Sequence, residues 1–402
     1  MLASRQPIVA SVRRDAWVEI DLGAIEHNVG VVRSWLKPGT QMMAVVKSDG
    51  YGHGAIGIAE LLAASGANWL GVASVDEGCQ LRAAGINAPI LILSPAPAWA
   101  MSVAIESDLQ FTVTSPTQIA DVVDAARRTQ RVAKVHLKID TGMHRLGVLP
   151  ADALVALEEL ARVSDMVKVK GLFSHLAKAD DEESVRWQQS QFERVLADVS
   201  AAGLRPDIVH FASSDATRLF PWAHYEMVRP GLILYGLESR VVSQVVKPAL
   251  SVRGRINHTQ HISAGESVGY SLTWTAARET RIASIPIGYA DGVDRGLSNK
   301  LMGSLMGKRI PQIGLISMDQ MLFDITDVPQ AQEGDVITLI GCDSEFSTDG
   351  PGEHEHTLYL ATWARELDTI TYELACRLRA RMPRIYTRHF VPPPRTSVAN
   401  KK

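Results

Sequence analysis

The sequence predicts an α/β protein, a (β/α)8 barrel (TIM barrel) followed by a second, mostly β-strand domain. Three observations carry this expectation. From residue 41 onward, short β-branched or aliphatic runs alternate with Gly, Ser or Asp loops and Ala/Leu-rich stretches of helical period. The runs number eight, and the region from 30 to 240 that holds them roughly matches the ~250 residues typical of such barrels. After about residue 245 the texture changes to strand-like runs divided by Gly and polar turns.

The first barrel strand is expected over Met42–Lys47. Trp69–Ser74, Pro89–Ser94, Leu109–Thr114, Ala133–Asp140, Val167–His175, Ile208–Ser213 and Met227–Tyr235 follow it. Helical stretches such as Ala55–Ala64, Pro116–Arg128 and Ala151–Val163 separate them, and Ser115 before Pro116 reads as an N-cap with a first-turn proline. A doubly wound open sheet is the rival arrangement of the same pattern. The second domain contributes strands over Arg278–Pro286, Lys308–Ser317, Met321–Thr326 and Asp335–Gly341. Ser344–His356 is polar and acidic and reads as a solvated loop rather than a metal site. The expected division is an N-terminal segment at 1–29 with a strand joining the C-terminal β domain, the barrel at 30–245, the β domain at 246–390 and a disordered tail at 391–402.

Composition narrows the function. At 402 residues, 46% hydrophobic and 21% charged, the chain is long enough for two domains and apolar enough for a large core. Forty-one Lys plus Arg against 44 Asp plus Glu leave no electrostatic footprint for nucleic acid or an anionic membrane. Cys79, Cys342 and Cys376 are odd in number and scattered, which suggests neither a disulfide framework nor a metal site. MLASRQPIVASVRRDAW lacks a signal-peptide core, and no apolar run is long enough to span a bilayer. A soluble cytoplasmic protein acting on a small molecule is expected.

AVVKSDGYGHG places Lys47 at the end of the first barrel strand, before a loop with three glycines. Active sites of such barrels sit at that rim. A lysine buried there has a lowered pKa, as an imine-forming nucleophile and proton carrier needs, although a lysine ending a strand can equally snorkel to solvent. The glycines allow a backbone to approach a ligand closely.

This string also closely resembles the cofactor-lysine signature of alanine racemases. WVEIDLGAIEHN at 17–28, KIDTGMHRLGV at 138–148, GLFSHLAKAD at 171–180, MVRPGLILYGL at 227–237, VGYSLTW at 268–274, IPIGYADGVDR at 285–295, SMDQMLFDIT at 317–326 and MPRIY at 382–386 resemble that family's motifs in the family's order. Together they cover most of the chain from Trp17 to Tyr386.

The resemblance implies a fold-type III enzyme that interconverts L- and D-alanine with pyridoxal 5'-phosphate. It implies that Lys47 carries the cofactor covalently and that Tyr51, which alone would read as a packed aromatic, reaches the phosphate. Ser214 and the backbone amides of Gly231 and Leu232 are the further phosphate donors it implies. Arg229 resembles the arginine facing the pyridine nitrogen; a guanidinium donates there and disfavours protonation of that nitrogen. His175 resembles the histidine beside the ring and this arginine, where a lone histidine after a strand is more often a structural residue. Racemisation needs one group to remove the α-proton and another on the opposite face to return one. Tyr270 resembles the second such group, supplied in the family by the partner of a homodimer, so Lys47 and Tyr270 of one chain should not meet. Arg145 resembles the arginine near the cofactor's phenolic oxygen and the substrate carboxylate. Lys138 matches a lysine carbamylated in some members, with an ordinary surface salt bridge as the alternative. Met318 would offer its N–H to the substrate carboxylate, and Tyr289 would narrow the entrance. The family's D-alanine feeds peptidoglycan precursors, and alanine breakdown is an equally open role.

Two departures stand out. Ala212-Ser213-Ser214-Asp215 replaces the common A-N-S-A, losing an asparagine and gaining a carboxylate near the phosphate serine. Ser317 replaces a frequent cysteine, and Ala380 stands where some members have a tyrosine. A racemase of wider scope, or one for serine, is the alternative on the same scaffold, since one methylene or hydroxyl is worth only roughly 1–3 kcal/mol. Tyr270 and the β domain argue against a non-catalytic cofactor carrier, which would end near residue 240. The hallmarks of the related decarboxylases of basic amino acids are not apparent.

Overall fold

A computed structural model describes residues 14–237, 245–341 and 358–388. Cys342, the expected loop Ser344–His356 and the expected tail 391–402 lie outside the described residues. Eight parallel strands close a barrel in chain order: β2 (Gln41–Val45), β3 (Trp69–Val72), β4 (Ile90–Pro95), β5 (Gln110–Val113), β6 (Ala133–Lys138), β7 (Val167–Phe173), β8 (Ile208–His210) and β9 (Met227–Val228). Pairing of Gln41 with Met227 and of Met42 with Val228 closes the ring, which overturns the open-sheet rival. Alternation along each strand sorts the side chains. Ala44, Leu70, Ile90, Ile92, Val135 and Leu137 join the large core shared with the helices, whereas Met43, Trp69, Leu91, Ile208 and Met227 form a separate cluster that fills the lumen.

The helix Ala55–Ala64 lies where its period places it, and Pro116–Thr129 begins at its proline. Ser115 takes the N-cap backbone conformation, yet its hydroxyl bonds Thr117 rather than a backbone N–H. Several expected strands run past the observed ones, Lys308–Ser317 among them, which ends at Ile313, and two in the barrel show why. The chain leaves β8 at His210 and starts a helix at Ser214. It leaves β9 at Val228 and coils Leu232–Tyr235 into a buried 3-10 turn, because Pro230 has no N–H for a ladder and an apolar run alone does not separate strand from buried turn.

The second domain is a nine-stranded sheet in the order β11-β14-β17-β16-β15-β18-β10-β1-β19. These are β1 (Ala16–Asp21), β10 (Leu250–Arg255), β11 (His258–Ile262), β14 (Thr280–Ile285), β15 (Met302–Leu305), β16 (Lys308–Ile313), β17 (Met321–Asp324), β18 (Val336–Ile340) and β19 (Arg384–Thr387); β12 (Ser267–Val268) and β13 (Trp274–Thr275) make a small ribbon. β1 lies antiparallel to β10 and parallel to β19. β11 is largely exposed and reads HTQHI, so hydropathy does not mark it. Among the described residues, no helix is long and apolar enough to cross a membrane.

Asp291 pins this domain together. Its fully buried carboxylate receives Arg14 at 2.5 and 2.8 Å, Arg381 at 2.7 and 3.3 Å, and the Gly288 N–H at 2.9 Å. Burial would raise its pKa, but Arg14, Arg381 and the Gly288 N–H together hold it below the usual value. A depressed carboxylate contributes stability above its unfolded pKa and loses it as pH falls through the folded one. Asp291→Asn is therefore expected to cost roughly 3 kcal/mol at neutral pH, read as a lower urea midpoint, and to flatten the acid limb of stability against pH. An unchanged midpoint would mean that the two arginines find other acceptors.

Candidate active site

β2 stops at Val45, and Lys47 opens not a loop but a left-handed turn: φ is 54° at Ser48, 54° at Asp49, 63° at Gly50 and 53° at Tyr51. Gly50, Gly52 and Gly54 N–H donate to the carbonyls of Val46, Ser48 and Asp49 at 2.8, 3.0 and 2.8 Å. Left-handed backbone costs about 1–2 kcal/mol at each non-glycine residue, so outside contacts must hold Ser48, Asp49 and Tyr51 there. Glu77 accepts from the Ser48 and Ala73 N–H groups at 2.7 Å each, and Asp49 accepts from the Ala55 N–H at 2.8 Å. From the β domain, Arg384 donates twice to the Gly52 carbonyl at 3.2 Å, and the Tyr386 hydroxyl lies 3.3 Å from the carbonyls of His53 and Gly54. A Cβ on Gly52 would sit 2.1 Å from the Ala375 carbonyl, so helix Thr371–Arg377 rests directly on the turn.

The turn sends Tyr51 back over the barrel mouth. Its ring packs 5.3 Å from that of Tyr235, and its hydroxyl lies so near Gly231 that a Cβ there would be 2.8 Å away. The Gly231 N–H donates to Ser214 Oγ at 3.0 Å, and Leu232 opens the 3-10 turn, where an N–H has no intrahelical partner. Tyr51, Ser214, Gly231 and Leu232 thus form an uncharged cradle of donors suited to a phosphate. Ser213 serves through its backbone: its carbonyl accepts from the Thr217 N–H at 2.8 Å and hydroxyl at 2.7 Å. Burial and Asp180 push the Asp215 carboxyl up against the pull of Arg218.

Arg229, two residues before Gly231, is 4% exposed. It donates to the carbonyls of Ser174 at 2.6 Å and Phe211 at 3.1 Å, to His210 Nδ1 at 3.1 Å and to His175 Nδ1 at 3.4 Å. Phe173 lies beneath the guanidinium, 5.2 Å away. Among the described residues no carboxylate pairs with it, and burial pushes its pKa down to about 9.

Lys138 corrects one alternative drawn from sequence. It is 5% exposed, 5.6 Å from the Phe173 ring, and has no hydrogen-bond or ion-pair partner among the described residues, so it makes no surface salt bridge. Burial, Arg229 and Arg145 push it down to about 8. Lys47 is likewise lowered by burial and then by Arg145, with Glu77 and Cys376 opposing. His175 is driven well below its ordinary value by burial and then by the charges of Arg229, Lys138, Arg145 and Lys47. Arg145 itself is exposed, on a loop shaped by Asp140, whose carboxylate accepts from the Gly142 and His144 N–H groups at 3.0 Å.

The β-domain candidates face outward. Tyr270 is 70% exposed, beside Leu272 at 63%, and no hydrogen bond, ion pair or ring contact joins it to Lys47 among the described residues. Tyr289 and Met318 are exposed too, on loops joined by the Tyr289 and Ala290 N–H groups, which donate to the Ser317 and Met318 carbonyls at 3.0 Å. Only glycine fits at 288, where a Cβ would lie 2.2 Å from the Ser317 carbonyl.

Sequence reasoning did not single out Glu77, Gln110, His136, His210, Arg384 or Tyr386. The last two lie in MPRIY, but no local spacing reveals that they reach Gly52 and Gly54. His136 shares a strand face with Lys138, the one available clue to a lumenal position.

Two family models match the chain: alanine racemase, N-terminal domain, over residues 20–239, and alanine racemase, C-terminal domain, over 249–386. An alanine racemase of Nostoc sp. is 40% identical over 379 residues, 92% of this chain and 95% of the relative. One from Symbiobacterium thermophilum is 40% identical over 378 residues, 93% and 97%. Among solved structures, the alanine racemase of the D-cycloserine producer Streptomyces lavendulae aligns with a TM-score of 0.85 at 34% identity, covering 94% of this chain and 98% of its own. That of Bacillus anthracis with bound L-Ala-P aligns at 0.84 and 32%, covering 93% and 95%.

Gly231→Ala would drive a methyl group against the Tyr51 hydroxyl. If the cradle takes a phosphate ligand such as pyridoxal phosphate, its binding, followed by equilibrium dialysis, should weaken about tenfold, the effect of losing one charge-assisted hydrogen bond. Unchanged affinity would remove Tyr51 from the cradle.

Proposed function

The chain belongs to the alanine racemase family, and from that premise we propose that it interconverts L- and D-alanine with pyridoxal 5'-phosphate, using Lys47 and Tyr270 of the partner subunit on opposite faces of the substrate. One observation carries this reading. A half-buried lysine just past β2, an uncharged cradle of donors suited to a phosphate and a buried arginine with no carboxylate partner among the described residues all lie just past the ends of barrel strands. These residues fit the cofactor: the cradle its phosphate, the Lys47 amine its carbonyl, Arg229 its ring nitrogen. When bound, the cofactor supplies an electron-withdrawing ring that makes the substrate α-hydrogen acidic.

The side chains do the rest. Burial and Arg145 lower Lys47, so its neutral amine can take the α-proton at Nζ. A phenol facing the other side returns a proton from Oη. Arg229 would hold the cofactor's ring nitrogen by donating to it without protonating it, and neutral His175 accepts from Arg229 at Nδ1. Arg145 and the Met318 N–H hold the substrate carboxylate, and Tyr289 narrows the way in. The exposure of Tyr270, Leu272, Tyr289 and Met318 supports a homodimer in which each chain lends this face to the other's site.

Lys138 earns a further assignment by its own observation. A buried amine lowered to about 8 has far more neutral form at physiological pH than an ordinary lysine. Its nitrogen can add to carbon dioxide, forming an N–C bond and releasing one proton to water. The carbamate would place there an anion that Arg145 can hold.

Lys47→Ala is expected to abolish racemisation and the borohydride-stable attachment of cofactor together; a cofactor-bearing peptide from another lysine would overturn the assignment. Mixed dimers of Lys47→Ala and Tyr270→Phe chains, each inactive alone, should regain part of the activity, because one of their two sites has both native groups. Failure to complement in verified mixed dimers would place both groups in one chain. Enzyme equilibrated with carbon-13 dioxide should show a carbamate resonance that Lys138→Ala lacks, and its absence from the native enzyme would leave Lys138 unmodified.

A further inference from the structure

Below Arg229, polar side chains run down the barrel lumen in single file. His210 Nδ1 accepts from Arg229 at 3.1 Å, His210 Nε2 meets His136 Nδ1 at 2.8 Å, and His136 Nε2 meets Gln110 Oε1 at 3.2 Å. Both imidazoles are fully buried and Gln110 is nearly so. The fold makes room for them at some cost. A Cβ on Gly171 of β7 would lie 2.3 Å from His136 Nδ1, and the β6–β7 register shifts between Val135 and His136. Phe173 stacks on His210 at 4.5 Å and Trp69 meets His136 edge-on at 5.6 Å, so both rings are pinned in orientation.

A guanidinium has donors only, so Arg229 sets the direction of every hydrogen in the file. His210 must offer Nδ1 as a lone pair and therefore carries its proton on Nε2. His136 receives that proton's hydrogen bond at Nδ1 and in turn carries its own on Nε2, which donates to the Gln110 oxygen. Burial keeps both rings neutral, lowering His136 to about 3 and His210 well below its ordinary value, as each accepting nitrogen requires. Both ring dipoles then turn their negative ends toward a cation with no carboxylate partner among the described residues.

We propose that His136 and Gln110 are positioning residues of the racemase site: they fix His210 as its Nε2–H tautomer and thereby keep Arg229 charged and aimed at the cofactor's ring nitrogen. Only the final step rests on the reading of Arg229 given above. The tautomers belong to the chain itself.

Gln110→Met removes the terminal acceptor at similar length. Gln110→Glu does more, because a carboxylate below His136 favours its imidazolium, which donates from both nitrogens. His210 Nε2 would then have to accept, its proton would move to Nδ1, and two donors would face each other at Arg229.

Long-range proton–nitrogen correlation spectra of histidine-labelled enzyme, with and without cofactor, read this directly. Native His136 and His210 should both show the Nε2–H pattern, and Gln110→Glu should convert His210 to Nδ1–H. In holoenzyme, Gln110→Met should lower kcat about fivefold to tenfold, the loss expected for one buried hydrogen bond, with the alanine KM unchanged. Transamination should rise relative to racemisation, most in Gln110→Glu. A charged or Nδ1–H His210 in the native protein would overturn the proposal without any variant. So would folded Gln110 variants with native tautomers and native partitioning. If the purified protein takes up no pyridoxal phosphate, the functional reading falls, and the ligand-free spectra still decide the relay.

Discussion

A buried guanidinium with no carboxylate partner among the described residues is the constraint around which the site is built. Leaving a charge of this kind uncompensated costs several kcal/mol, so the fold must surround Arg229 with partial negative charge instead of a full one. Two carbonyls at the ends of barrel strands, those of Ser174 and Phe211, and two imidazole lone pairs supply it. The neighbours follow from that choice. His175 and His210 must stay neutral to accept, and Lys138 and Lys47 lose protons more readily because burial and the neighbouring cations outweigh the opposing pull of Asp140 and Glu77.

The cradle across the mouth obeys the complementary rule. Its donors are a phenol, a hydroxyl and backbone N–H groups, all neutral. A cation there would compete with Arg229 for the electronic character of any ligand spanning the two. Placing neutral donors at one end and the unpaired charge at the other lets one end fix affinity while the other tunes chemistry. The left-handed turn makes the separation possible: it leaves Lys47 at the rim and carries Tyr51, four residues on, over to Gly231.

Much of this was legible in the sequence where side chains repeat, and little where distant strands meet. Ala55–Ala64 has an unbroken helical period and no competing signal, so its limits could be read directly. Met227–Tyr235 is apolar throughout, which fits a strand and a buried turn alike, and Pro230 was the overlooked clue. The family motifs named Lys47, Tyr51, Ser214 and Arg229 individually. They did not show that Arg229 has no carboxylate partner among the described residues or that Lys138 is buried, since each depends on what the fold brings near. The His136–His210 contact joins residues 74 apart on strands separated by another, and neither carries a local motif.

The β domain has two duties that pull in different directions. Through Arg384, Tyr386 and the Ala375 carbonyl it grips the left-handed turn of its own chain, supporting a backbone conformation that the barrel alone would leave strained. Through Tyr270, Tyr289 and Met318 it presents exposed groups on loops of its own. The first duty requires rigid attachment to the barrel, and the shared core together with the β1–β19 pairing provides it. The second requires loops held in shape while facing away, and the Tyr289–Ser317 and Ala290–Met318 bonds, backed by Asp291, meet that need. Arg381 belongs to both duties, since it reaches Asp291 from the short segment that joins helix Thr371–Arg377 to β19. A disturbance at Asp291 would therefore act on the outward loops and, through that segment, on the clamp over Lys47.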